Sequence, residues 1–252
     1  MKTFGRVLTA MITSFNEDGS VNIENSVAIA EHLLNHGSDG LVVCGTTGEN
    51  PTISRESKIA LFKAIAETCG DKGTIIANVG SNDTKGSVDF VKEVSTIPGI
   101  DGLLVVVPYY NKPNQQGQYL HFKSIAEATT LPIMVYNVPG RVGTGIFPAT
   151  LARLHKEYPH ICAIKEASGN LMIASEIKRL MPGEDFMVYS GDDGLTLPIL
   201  SVGGTGVISV VSHVAGQDMN DMIAAFEEGK NQKATQIGRA SCREECVSTC
   251  RS

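Results

Sequence analysis

A chain of 252 residues with 42% hydrophobic and 19% charged residues has the composition of a soluble globular protein able to bury one sizeable core. A formal net charge of −6, with no Lys/Arg cluster interleaved with aromatic residues, offers no footprint for a polyanion and argues against nucleic acid as a partner. No stretch reaches about 18 uninterrupted apolar residues, and the first apolar run carries Arg6 without a small-residue cleavage site, so no membrane span is expected and a cytoplasmic location is.

Short β-branched runs, each introduced by Gly, Asp or Pro, alternate along the chain with longer stretches of helical period. The pattern predicts a strand over 7–13 and a helix over 23–35, then 40–44 with 54–68, 74–79 with 85–95, and 102–107 with 117–128. It continues as 132–136 with 148–156, 161–165 with 171–181, 186–190 with 195–202, and 206–210 with 217–228. Runs such as LLVVV at 103–107 are apolar on both faces, as a parallel sheet covered by helices requires. Eight such βα units predict a closed (β/α)8 TIM barrel spanning 1–235. An open doubly wound sheet is disfavoured because no G-x-G-x-x-G follows the first strand.

Barrel chemistry belongs where the strands end. The sixth strand ends on Lys165, where partial desolvation disfavours the ammonium and leaves free amine to attack a carbonyl. The second ends in Gly45-Thr46-Thr47-Gly48-Glu49, whose successive N–H groups and hydroxyls suit a carboxylate. Pro108-Tyr109-Tyr110-Asn111 follows the fourth strand and Tyr136-Asn137-Val138-Pro139-Gly140-Arg141 ends the fifth. Tyrosine and threonine hydroxyls on neighbouring loops can form a proton chain, and Arg141 offers a planar fork for a second carboxylate. Asp192 and Asp193, after the seventh strand, disfavour a phosphorylated substrate, or else cap a helix.

These motifs, with Ile164-Lys165-Glu166-Ala167-Ser168-Gly169, Ser190-Gly191-Asp192-Asp193 and Gly206-Val207-Ile208-Ser209, together resemble the dihydrodipicolinate synthase family in its own order, over about 5–230. The resemblance implies a lyase of lysine and diaminopimelate biosynthesis that joins pyruvate to L-aspartate 4-semialdehyde through a Lys165 Schiff base, giving 4-hydroxy-tetrahydrodipicolinate. It implies Tyr136 as the general acid and base beside the imine, with Thr46 and Tyr110 completing the relay. It further implies Thr47 for the pyruvate carboxylate, Arg141 for the semialdehyde carboxylate, and Ile208 near Gly191 lining the pyruvate pocket. The family pattern also implies a homotetramer, or else a homodimer, with Tyr110 reaching into a neighbouring subunit. Neither a metal nor an organic cofactor is expected, since the imine serves as electron sink. Rival readings are a catalytically silent binding barrel, a phosphosugar-binding barrel and a keto acid aldolase of sugar metabolism. Where lysine-regulated members tend to have His or Trp and a Glu, this chain carries Arg55, Lys58 and Gly86, so weak or absent feedback is expected.

The family's extra carboxyl-terminal helices are absent or replaced in this reading. Residues 236–252 form an atypical tail, with Cys242, Cys246 and Cys250 among the last eleven residues. Those three lack the paired spacing and fourth ligand of a zinc site, and His32 with His36 lacks the third ligand of one.

Overall fold

In the computed structural model, which describes residues 4–183 and 185–239, eight parallel strands close into a barrel in sequence order. They are β1 (Val7–Ala10), β2 (Gly40–Val43), β3 (Thr74–Asn78), β4 (Gly102–Val106), β5 (Ile133–Asn137), β6 (Ile161–Glu166), β7 (Met187–Ser190) and β8 (Gly206–Ser209). Closure is made where β8 pairs with β1, Val207 opposite Val7 and Ile208 opposite Leu8. Gly206 is required at that seam, because a Cβ there would sit 2.0 Å from the Arg6 carbonyl oxygen. Nearly every strand residue is buried on both faces, which is why the strands read as continuous apolar runs.

The helices are α1 (Ile23–Asn35), α2 (Arg55–Cys69), α3 (Thr84–Val94), α4 (Gln115–Ala126), α5 (Pro139–Val142), α6 (Pro148–Glu157), α7 (Leu171–Leu180), α8 (Thr196–Ser201) and α9 (Ser212–Glu227). Their starts follow local chemistry. Asn22, Ser54, Asp83, Asn114 and Asn170 each accept from an amide of the first turn, satisfying a donor that has no partner within the helix.

The expected elements are all present, with four differences. The first strand stops at Ala10 and the one-turn α5 was not foreseen. The last helix begins at Ser212, ahead of the expected 217, because the backbone kinks at Ala215 and joins two helical pieces. Helical backbone also runs over 231–239, crossing the expected boundary at 235, with Ala234 fully buried against a cluster that includes Val7, Met219 and Ile223. Cys242, Cys246 and Cys250, and the remainder of the expected tail, lie outside the described residues. Among the described residues no helix is long and apolar enough to cross a membrane.

Candidate active site

The site forms where β5, β6 and β7 end together. Tyr136 and Lys165 are register partners on neighbouring strands, and Tyr189 lies opposite Lys165 on the other side. Side chains alternate along a strand, so Lys165 and Glu166 point to opposite faces. The Lys165 ammonium nitrogen sits 4.7 Å from the centroid of the Tyr136 ring, and only 7% of the residue is exposed. Burial pulls its pKa down from the ordinary lysine value to about 8, with Arg141 adding to the fall and the negative charge of Asp193 opposing it. A lysine so placed holds about a tenth of its population as free amine at pH 7, far more than an ordinary lysine, and this is the form a carbonyl requires.

Tyr136 is also buried, which raises its pKa, while a hydrogen bond with the Thr46 side chain and the charge of Arg141 act in the opposite sense. This bond links the end of β5 to the turn after β2. That turn is shaped by two non-glycine residues in the left-handed region, Cys44 at φ 54° and Glu49 at φ 58°, and is closed by Glu49 N–H donating to Thr46 O at 3.1 Å. Gly48 has no room for a side chain, since a Cβ would lie 2.8 Å from Met11 O. Among the described residues the amides of Thr46 and Thr47 have no hydrogen-bond partner, which leaves two donors at the rim for an anionic group.

Gly191 lies against the lysine stem. A Cβ at this position would be 2.6 Å from the Ala167 Cβ and 3.2 Å from Lys165 Cε. Its amide donates to Glu166 O at 2.8 Å, extending the β6 to β7 pairing beyond the strands. Ile208 is buried in β8, beside the seam. Arg141 is exposed on α5, close enough for its charge to act on both Tyr136 and Lys165. Tyr110 stands apart from this group within the chain. It is 88% exposed, with φ at 68°.

Two groups carry weight that the sequence did not reveal. Glu166 accepts from Asn137 Nδ2 and from Ser168 N–H, both at 2.7 Å, behind the lysine. Of the two aspartates after β7, Asp192 caps the turn, accepting from Gly194 N–H at 3.0 Å. Asp193 instead turns inward. Its Oδ2 accepts from Val210 N–H and Val211 N–H at 3.0 and 3.1 Å, and its buried Oδ1 has no hydrogen-bond partner among the described residues. Among the described residues no group of three His, Cys, Asp or Glu side chains is placed to hold a metal, and His32 and His36 stack on one another with centroids 4.1 Å apart.

The model of the dihydrodipicolinate synthetase family matches residues 3–243. The chain belongs to this family. Dihydrodipicolinate synthetase relatives include the 4-hydroxy-tetrahydrodipicolinate synthase of Desulforamulus reducens, 50% identical over 93% of this chain and 78% of the relative. That of Moorella thermoacetica is 51% identical over 94% of this chain and 80% of the relative. Among solved family structures, dihydrodipicolinate synthase of Bacillus anthracis superposes with a TM-score of 0.92 at 44% identity, covering 96% of this chain and 82% of that one. The enzyme of Cyanidioschyzon merolae, solved with lysine bound, gives 0.90 at 44% identity, covering 93% and 80%.

Proposed function

We propose that this chain condenses pyruvate with L-aspartate 4-semialdehyde to form 4-hydroxy-tetrahydrodipicolinate, as the names of its relatives suggest. The observation that carries the reading is the buried Lys165 amine, with its lowered pKa, facing Tyr136 at the mouth of a closed barrel. In this reading the neutral Lys165 amine adds to the keto carbon of pyruvate, one proton is taken up and water leaves, giving a cationic imine. Loss of a methyl proton gives an enamine, whose carbon attacks the aldehyde of the second substrate. The amino group of that substrate then closes the ring and displaces Lys165.

Tyr136, linked to Thr46, supplies and removes the protons of carbinolamine formation and breakdown. The Thr47 amide and hydroxyl receive the pyruvate carboxylate beside the Thr46 amide, Gly191 and Ile208 line the pyruvate pocket, and Arg141 receives the semialdehyde carboxylate. Tyr110 belongs to the relay of a neighbouring subunit in a homotetramer or homodimer, consistent with its exposure here. The test is intact-mass spectrometry after borohydride reduction in the presence of pyruvate. A reduced pyruvate adduct is expected in the parent chain and not in Lys165→Ala; a folded parent chain that gives no adduct excludes the imine. Turnover of aspartate semialdehyde by the adduct-forming chain then tests the acceptor.

A further inference from the structure

A buried carboxylate oxygen without a hydrogen-bond partner costs stability, and among the described residues Asp193 Oδ1 is one. Its place in the fold supplies a reason. Asp193 follows β7, whose end packs on the Lys165 stem through Gly191, 3.2 Å from an added Cβ to Lys165 Cε. The other oxygen of the carboxylate is held by the amides of Val210 and Val211, so the group is fixed by the β8 to α9 turn and cannot rotate away without breaking two bonds. Resting on the imine reading above, we propose that Asp193 is a positioning residue whose fixed negative charge is the counter-ion of the cationic imine formed on Lys165.

The charged and titratable surroundings of the lysine agree. Tyr136 faces it from β5, Arg141 acts on it from α5, and Asp193 acts on it from the turn after β7. Glu166, though adjacent in sequence, is on the opposite face and is taken up by Asn137 and Ser168. Among the described residues Asp193 is thus the acidic group whose charge acts on Lys165, from beyond direct ion-pair distance, and it raises the pKa that burial and Arg141 lower. His213 of α9 also feels this carboxylate. Its Nε2 accepts from Ile12 N–H at 3.1 Å, and burial lowers its pKa, so at neutral pH it is an uncharged neighbour.

A counter-ion has a pH signature that a merely structural residue lacks. Below the Lys165 pKa of about 8, ammonium and carbonyl exchange water for a cationic imine with no net proton change, so both sides feel Asp193 equally. Above that pH, neutral amine, proton and carbonyl become a cationic imine, and only the product feels the carboxylate. Asp193→Asn keeps an oxygen for the two amides and removes the charge.

The experiment measures pyruvate imine formation by borohydride trapping, and kcat/KM for pyruvate, across the pH range for the parent chain and for Asp193→Asn. The expected result is an acid limb moved to lower pH by about one unit, the low end of what a neighbouring opposite charge produces. With it goes a roughly tenfold weaker imine affinity well above the limb, and almost no change well below it. Superimposable profiles overturn the proposal, as does a loss of equal size at every pH. If the Asn variant does not fold, Asp193→Ser, also uncharged with a short acceptor, is read by the same criteria. Absence of a Lys165-dependent adduct in the parent chain is the separate failure of the imine reading.

Discussion

Asn137 donates from its side-chain amide to a Glu166 carboxylate oxygen at 2.7 Å, one register position beyond the pair Tyr136 and Lys165. The second Glu166 oxygen accepts from Ser168 N–H, and Asn137 Oδ1 accepts from Ile146 N–H at 3.2 Å, tying the loop that carries Arg141 back to the barrel. Both residues are buried, so neither can exchange these bonds for water. In Glu166→Gln the amide nitrogen must face one of the two donors, leaving that donor unsatisfied. The expected cost is about 1–3 kcal/mol, the usual penalty for a buried polar group left unpaired. Denaturant unfolding checks it, with unchanged stability as the contrary outcome; Lys165 trapping should persist in the folded fraction.

Gly191 faces the lysine stem directly. The Cβ of Gly191→Ala would press on both Ala167 and Lys165 Cε. The Ala167 contact involves a Cβ fixed to the backbone, so the lysine stem is the softer neighbour and moves. We expect a stability loss of about 1–3 kcal/mol from overpacking. Displacement of the nucleophile should lower kcat/KM for pyruvate by up to about 10²-fold. Steady-state kinetics on the folded variant separate the two effects, and a stable variant with parental kcat/KM would show that the stem has room.

Tyr136→Phe removes the hydroxyl bonded to Thr46 and leaves the ring beside Lys165 in place. Loss of a positioned general acid and base lowers kcat by about 10²–10⁴. Borohydride trapping at long incubation should still yield the Lys165 adduct, because the nucleophile is intact. Parental kcat in this variant would remove Tyr136 from the relay. Thr46→Val should fall in the same direction with a smaller loss, since it deletes the partner and not the proton donor.

These residues were not equally visible in the sequence. Lys165 was legible because it ends a continuous apolar run and is followed by Ser168 and Gly169, which together announce a strand running out into a loop. Tyr136 and the Gly45 to Glu49 turn were legible for the same reason, each sitting where β periodicity stops. The inward turn of Asp193 was not, because Asp192 and Asp193 are the same residue type and only the folded turn decides which caps Gly194 and which meets Val210 and Val211. The single turn of α5 was missed, although Pro139 at its first position is a helix-start signal, because four residues carry no periodicity. Glu166 was only a letter of its motif in the sequence; its clamp on Asn137 depends on the register of β5 against β6, which is a tertiary fact.

Tyr110 combines 88% exposure with a left-handed φ of 68°, a conformation that costs energy for a bulky residue. Large exposed aromatics are characteristic anchors of protein interfaces. Tyr110→Ala is therefore expected to shift the assembly toward smaller species in analytical ultracentrifugation and to lower kcat together with it. Tyr110→Phe should keep the assembly and lose only the hydroxyl's share of turnover. A chain that remains fully active as a monomer would exclude a shared site.

A cavity of about 300 Å³ lies between α2 and α3, lined by residues that include Arg55, Lys58, Gly86, Phe90 and Tyr109. The sequence places two cations there, and one of them, Arg55, is paired, its guanidinium reaching Glu93 Oε2 at 2.7 Å and stacking over Phe90 at 5.2 Å. Lys58 is the cation without an ion-pair partner among the described residues, and burial lowers its pKa. None of the lining residues is a carboxylate, so the ammonium groups of a lysine molecule would enter against a like charge with no anion in the lining to receive them. Although the Cyanidioschyzon merolae relative was solved with lysine bound, lysine is expected to leave the rate of this chain unchanged at millimolar concentration. Initial rates across a lysine titration check this, and sub-millimolar inhibition would contradict it. Lys58→Glu, which places an acceptor in the same cavity, should move the chain toward sensitivity if the missing carboxylate is the reason.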